Sequence, residues 1–379
     1  MIKNIVISAG ASRTSGAKTI YLQLMEHLRY HVGNNRYIVF VDESMPRPEI
    51  TGVEYVIVDV RKWLDRLRFD YGRCKETLER MNVKPDLVIS LQNTGVACLK
   101  DTWQLIYYHQ PLPFYPQRWN PLKKEERRLF MYKHIYPWLV RNSIRKDRVD
   151  FIAQIPFIKD GIIDSFRIDE NRVHVLFPDT EKVEKEKLKP YSFEEDNFNF
   201  MYPATAVSYK NHKMLIDALT ALREKNKNVC ERLRIHLTLG PDDYPIFTER
   251  IREAGLEQQF VLHGAVPHEQ LLCMLNSSHG LIFPSTIETL GLPLLEAAKL
   301  GKAIVASDLI YAHQVLGDYE GVSFVDVNDA RKWAENILEL STEIPHNYLE
   351  MAEPEESSWE VFFALIERRF AVWGGQIVS

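Results

Sequence analysis

The chain has 379 residues, more than a single hydrophobic core normally serves, so two domains of ordinary size are expected. With 45% hydrophobic and 26% charged residues it has the make-up of a folded globular protein, which excludes a disordered one. Its formal charge of -5 excludes a general nucleic-acid binder, because such proteins need a basic excess to displace counterions from phosphates.

The first strand is expected at "NIVISA" (4–9), with no charged leader or signal-peptide core before it. Nowhere do 18 apolar residues run together, so no membrane-spanning helix is expected and the location should be cytoplasmic, with the membrane surface still open to it. Four cysteines, Cys74, Cys98, Cys230 and Cys273, are scattered without a C-x-x-C pair and signal neither a zinc site nor a disulfide framework. Next, "SAGASRTSGAKTIYLQL" holds Gly10 and Gly16 at a spacing that does not make the dinucleotide fingerprint, and a helix follows over "KTIYLQLMEHLRY" (18–30).

Strands continue at "YIVFVD" (37–42), "YVIVDV" (55–60), "DLVISL" (86–91), "QLIYYH" (104–109) and "VDFIAQ" (149–154), with a helical pattern over "RLRFDYGRCKETLERM" (66–81). The alternation of short β-branched runs with amphipathic segments points to βαβ units around a parallel sheet. His109 ends a strand, at the carboxyl edge where such sheets place ligands; a lone histidine beside aromatic residues is also commonly structural. Residues 117–148 carry ten Lys/Arg against three acidic residues, a local +7 interleaved with Trp119, Phe130, Tyr132, Tyr136 and Trp138. That composition suits an anionic membrane surface and equally a solvated helical pair on the sheet.

At "DTEKVEKEKLKPYSFEEDN" the texture turns charged with no sustained apolar face, which marks residues 179–197 as a linker after an N-terminal domain of 1–178. A second series follows within 198–355: "FNFMYP" (198–203), "RIHLTL" (234–239), "QFVLHG" (259–264), "HGLIFP" (279–284), "KAIVAS" (302–307) and "GVSFVD" (321–326). The tail, 356–379, aligns Trp359, Phe362, Phe363, Ile366 and Phe370 on one helical stripe that must dock against something apolar.

Within the second series, "ETLGLPLLE" (288–296) reads as an anion-binding turn. Pro293 suits the first turn of a helix, and Gly291 lets the backbone approach a ligand closely, so amides around Leu290 to Leu294, Leu292 among them, face outward at the positive helix end. A carboxylate about 4–5 Å from a phosphate costs about 3–4 kcal/mol at an effective dielectric near 20, more than a helix terminus returns. Glu288 and Glu296 therefore either flank the anion, each accepting hydrogen bonds from a sugar ring, or simply decorate a helix start.

"PSTIETLGLPLLEAAKLGKAIVASD" resembles the signature of retaining GT-B glycosyltransferases of family 4 (glycosyl transferases group 1), with E-x7-E around a G-L-P turn. "NFMYPATAVSYKNHKMLIDAL" (199–219), "FVLHGAVPHEQLLCML" (260–275), "FIKDGIIDSFRIDENRVHVLFPDTE" (157–181) and "SSWE" are similar to other segments of that family, so the likeness covers most of residues 150–370. The resemblance implies a GT-B fold: two Rossmann-like domains facing across a cleft, the last helix crossing back to the first. It implies transfer of a hexose-type sugar from a nucleotide sugar of UDP or GDP type to a saccharide or lipid-linked saccharide, with retention and without a metal or other cofactor, in polysaccharide or glycolipid synthesis.

Carried over residue by residue, Lys210 in "SYKNHK" would meet the donor diphosphate, Glu288 would position the donor sugar, and Glu296 the ribose. Gly16, Gly240, His263 and Val266 would line the donor site, and His109 would contact the sugar at the reaction centre. The chain departs from the family in two places: Thr205 stands where an arginine is common, which weakens charge compensation or shares it with another base such as Lys213, and Gly16-Ala17 stands where a glycine pair is common. Rival readings from the same fold are a sugar-nucleotide epimerase and a silent nucleotide-sugar binder; an oxidoreductase lacks its fingerprint.

Overall fold

The computed structural model describes residues 2–13, 15–179, 184–194, 196–342, 344–352 and 356–375. Residues 180–183 and 195 of the expected linker, and the end of the tail at 376–379, lie outside the described residues. Two compact units emerge: Met1–Asp179 with Glu355–Ser379, and Thr180–Pro354.

The first unit is built on seven parallel strands, β1 (Asn4–Ser8), β2 (Arg36–Val41), β3 (Val53–Ile57), β4 (Leu87–Ser90), β5 (Trp103–Tyr108), β6 (Val149–Ala153) and β7 (Val173–Val175), in the order β3-β2-β1-β4-β5-β6-β7. Strand β7 is the one that the periodicity did not separate from its charged surroundings. Side-chain alternation sends Ile5 and Ile7 to one face and Val6 to the other, and both faces are covered. A fully parallel sheet requires such double cover.

The final helix, Ser358–Gly375, helps to cover the first face: Trp359, Phe362, Phe363 and Ile366 sit in the same core as Ile5, Leu24 and Tyr107. Its start is capped from a distant segment, since the Asp179 carboxylate accepts from the Ser358 amide at 2.8 Å and from the Ser357 hydroxyl. Further along, Arg369 donates to buried Asp150 at 2.6 Å. Burial alone would raise the Asp150 pKa, but His174, Arg369 and Trp103 around its carboxylate outweigh it and hold the group below its ordinary range.

The second unit holds six parallel strands, β8 (Phe198–Tyr202), β9 (Leu233–Leu237), β10 (Phe260–Leu262), β11 (Gly280–Phe283), β12 (Ala303–Ser307) and β13 (Val322–Val325), in the order β10-β9-β8-β11-β12-β13. In both sheets the order reverses once, between β1 and β4 in the first and between β8 and β11 in the second. Doubly wound sheets bind ligands outside the strand carboxyl ends at such reversals. The charged segment, where described, lies against the second unit: Lys185 reaches the Leu300 carbonyl at 3.0 Å, the Tyr191 amide donates to Ser277 at 2.9 Å, and Phe193 packs on His236.

Candidate functional site

At the reversal of the second sheet, the turn Ser208–Lys210 after β8 meets the loop after β11. The Tyr209 carbonyl ties them, accepting from the Thr286 amide at 2.7 Å and the Thr286 hydroxyl at 3.0 Å. Tyr311 holds the same loop from below through the Ser285 carbonyl at 2.7 Å. The result brings the Lys210 ammonium onto the Glu288 carboxylate, both largely buried. Lys210 also lies 5.8 Å from the Phe283 ring centre, and Tyr202 donates to the Lys210 carbonyl.

This pairing joins two residues that the sequence reading kept apart, Lys210 at the phosphates and Glu288 at a sugar. Because each neutralises the other, an anion beside Glu288 no longer meets a bare carboxylate. Lys213, the base expected to share the load, is instead engaged with Asp217 at 2.7 Å on the exposed side of its helix. Thr205 is exposed, its carbonyl bound by the Val207 amide at 2.8 Å.

The turn itself has the expected form. Gly291 caps the helix Leu292–Lys299 at φ +69, Pro293 occupies its first turn, and no side chain caps the end. A Cβ on Gly291 would stand 3.2 Å from Leu294 and 3.4 Å from Phe283, so glycine serves both backbone angle and close packing. The Leu294 amide, however, is already spent on the Gly291 carbonyl at 2.8 Å and proline has none, which narrows the available donors to Leu290, Gly291 and Leu292. Glu296, one turn into the helix, accepts from the His268 ring at 2.8 Å. No spacing rule pointed to His268; its place at the start of the helix His268–Ser277 becomes relevant only once the two helices are neighbours.

Two other expected donor-site positions are engaged internally. The Gly240 amide donates to Asp243 at 2.6 Å, so it is not a free phosphate donor. His263 joins a chain across the strands, 2.9 Å from His236, which lies 2.9 Å from Asn199. Burial lowers the pKa of both histidines, that of His236 to about 3, so the pair is neutral. Val266 is half-buried in the loop that follows.

In the first unit, His109 directly follows β5 and is held by Asn93 from the loop after β4. Burial, reinforced by the Arg66 cation, lowers its pKa to about 4. Arg66 itself donates to the Gln92 carbonyl at 2.6 Å and the Thr94 hydroxyl at 3.0 Å. Gly16 begins the helix Ser15–His31 with nothing within 4 Å of a would-be Cβ, whereas one at Gly10 would strike Val60 at 2.8 Å. Packing therefore demands glycine at 10 and leaves 16 unconstrained. Among the described residues no group of three or more His, Cys, Asp and Glu is placed to hold a metal ion.

The basic segment forms the helices Arg127–His134 and Tyr136–Ser143 after a loop. Leu129, Tyr136, Leu139 and Val140 face inward, while Leu122 (87% exposed), Trp138 (60%), Ile135 and Met131 face solvent. Lys133 and Arg141 bind backbone carbonyls, and Arg145 pairs with Asp101 and Asp147. Among the described residues no helix is long and apolar enough to cross a membrane.

Residues 183–352 match the family model for glycosyl transferases group 1, which spans almost all of the second unit. The second unit is a glycosyl transferases group 1 domain. A relative, the O-antigen chain mannosyltransferase RfbU of Salmonella typhimurium strain LT2, is 22% identical over 214 residues, 56% of this chain and 56% of that protein. The match thus spans about half the length of the curated relative. A glycosyltransferase from Rickettsia africae ESF-5 shares the fold at TM-score 0.63 and 15% identity, over 89% of this chain and 88% of that one. Anabaena HepE, solved with UDP and glucose, does so at TM-score 0.61 and 14% identity, over 88% and 89%. With a group 1 domain, two Rossmann-like parallel-sheet units and a last helix that rejoins the first, the architecture is GT-B.

Proposed function

We propose that the protein is a retaining, metal-independent glycosyltransferase that moves a hexose-type residue from a nucleotide sugar to a saccharide or lipid-linked saccharide, in surface polysaccharide or glycolipid synthesis. The observation that carries this reading is the Lys210–Glu288 pair, set beside the Gly291 turn at the strand-order reversal of a group 1 domain. RfbU is named as a mannosyltransferase of an O-antigen chain, which supports a hexose and a polysaccharide, and the UDP bound by HepE supports a nucleotide donor.

In the proposed reaction the bond from the anomeric carbon to the diphosphate breaks, the acceptor oxygen bonds to that carbon on the same face, and the acceptor proton passes to the departing diphosphate. The Leu290 to Leu292 amides and Lys210 would take up the developing negative charge. For that, Lys210 must exchange part of its hold on Glu288 for the phosphates, which frees the carboxylate to accept from a donor hydroxyl. Glu296 would bind the ribose in place of, or together with, His268. Leu122, Trp138, Ile135 and Met131, next to Lys123, Lys124, Arg127 and Arg128, would lie at the inner face of an anionic membrane.

A thermal-shift panel of UDP-, GDP-, ADP- and TDP-sugars, followed by transfer to candidate acceptors with EDTA present and anomer assignment by NMR, tests the reading. It expects stabilisation by one base series and an EDTA-insensitive product of retained configuration. Lack of any stabilisation, or turnover that needs an added divalent metal, defeats it.

A further inference from the structure

We propose that Asn93 is a positioning residue that fixes the His109 imidazole as its Nδ1–H tautomer, so that in the reaction the ring acts as a hydrogen-bond donor and not as a base. The inference deepens the proposed function and rests on the placement of His109 at the donor sugar.

The geometry leaves little freedom. Asn93 follows β4 in the left-handed region, at φ 64, a conformation that asparagine tolerates better than most residues. From there its side chain reaches across to the end of β5, where two of its atoms meet His109. Asn93 Oδ1 accepts from the His109 backbone amide at 2.5 Å, and Asn93 Nδ2 lies 3.2 Å from His109 Nε2. The two ends of an amide are ordinarily hard to tell apart, but here the backbone decides. An amide N–H can only donate, so the oxygen of Asn93 must face it, and the NH2 is left facing the ring.

That NH2 is likewise only a donor. Nε2 must therefore offer its lone pair, and the single proton of the neutral ring sits on Nδ1. The ring is indeed neutral near neutral pH, because burial and the Arg66 cation both disfavour the imidazolium. Nε2 is then occupied and Nδ1 carries a proton, so neither nitrogen can receive one.

Nδ1 is buried, and among the described residues no group accepts from it. An unpaired buried donor is costly to a folded chain. A sugar oxygen that reaches Nδ1 removes that cost, which makes the ring a site for a hydroxyl or ring oxygen and not for an ammonium or another N–H donor.

Selective 15N-histidine labelling of the full chain, with long-range proton–nitrogen correlation spectra and His109 assigned through a His109→Gln control, reads the tautomer directly. The expected result is a neutral Nδ1–H ring at about pH 7, and a ring carrying its proton on Nε2, or a cation, overturns the proposal. Asn93→Asp supplies a second arm. An anionic carboxylate that accepts from both the backbone amide and Nε2–H moves the proton to Nε2 and raises the ring pKa. The variant should lower kcat by about tenfold with KM little changed and add a new limb to the pH profile; an unshifted tautomer and profile in Asn93→Asp count against it. Should that variant fail to fold, the wild-type spectrum still decides. The tautomer is read without turnover, so an absent transferase activity would defeat the functional reading and leave this inference standing or falling on its own signal.

Discussion

Lys210 and Glu288 are 78 positions apart in the chain yet share one ion pair, and the proposed reaction requires that pair to be exchanged for a ligand. Lys210→Ala and Glu288→Ala should each lower kcat/KM by about a hundredfold or more, while thermal unfolding moves by only a few degrees. Steady-state kinetics beside a melting curve checks this, and near-normal transfer in both variants would remove the site. Asp70 supports a separate prediction. Buried with one carboxylate oxygen unpaired, and with Arg66 3.7 Å away but committed to Gln92 and Thr94, it has its pKa pushed up to about 7. A folded-state pKa above the unfolded value means that the native chain holds an extra proton between about pH 4 and 7, so stability falls as pH rises through that window. Asp70→Asn should flatten the fall, as urea unfolding at several pH values would show; an unchanged slope contradicts it. The candidate residues of the glycine turn were legible because proline and glycine carry backbone rules. The partners of Glu288 and Glu296 were not, because a contact between segments far apart in the chain leaves no spacing in either.

Among the elements, the last helix best shows what a pattern conveys. Its apolar stripe was visible in the sequence, and the runs "NIVISA" and "DLVISL" were visible as strands, since period and composition are local properties. What the stripe rests on is a matter of assembly: Trp359 stacks near Tyr107 with ring centres 5.9 Å apart and donates to Gln23 at 3.3 Å. Trp359→Ala should destabilise the first unit by about 3–5 kcal/mol, the usual loss for a large buried aromatic. Removing the cap by Asp179→Ala should cost about 0.5–2 kcal/mol. Denaturant midpoints at constant m would measure both, and a Trp359→Ala chain as stable as the parent would mean that the helix does not hold the unit together. Strand β7 escaped detection because three residues are too few for an alternation to show.

For the whole molecule, the net charge of -5 conceals a local +7, and the two make opposite demands on an anionic surface. Sedimentation with anionic vesicles should weaken with added salt and be lost on charge reversal of Lys123, Lys124, Arg127 and Arg128; binding indifferent to both would defeat the membrane proposal. At a hundredfold excess over its Kd, the cognate nucleotide sugar should stabilise the native state by about 2.7 kcal/mol, a rise of roughly 5–10 °C for a unit of this size.

The sequence alone determined the two α/β units, the glycine-proline turn and the apolar stripe of the tail, because periodicity and glycine and proline constraints act over a few neighbouring residues. Only the tertiary structure decided that Lys210 neutralises Glu288, that His268 holds Glu296, that Gly240 is already engaged, and that Asn93 governs His109. Each of those depends on which loops a parallel sheet brings to one edge, and strand order is a property of the folded chain that no local stretch encodes.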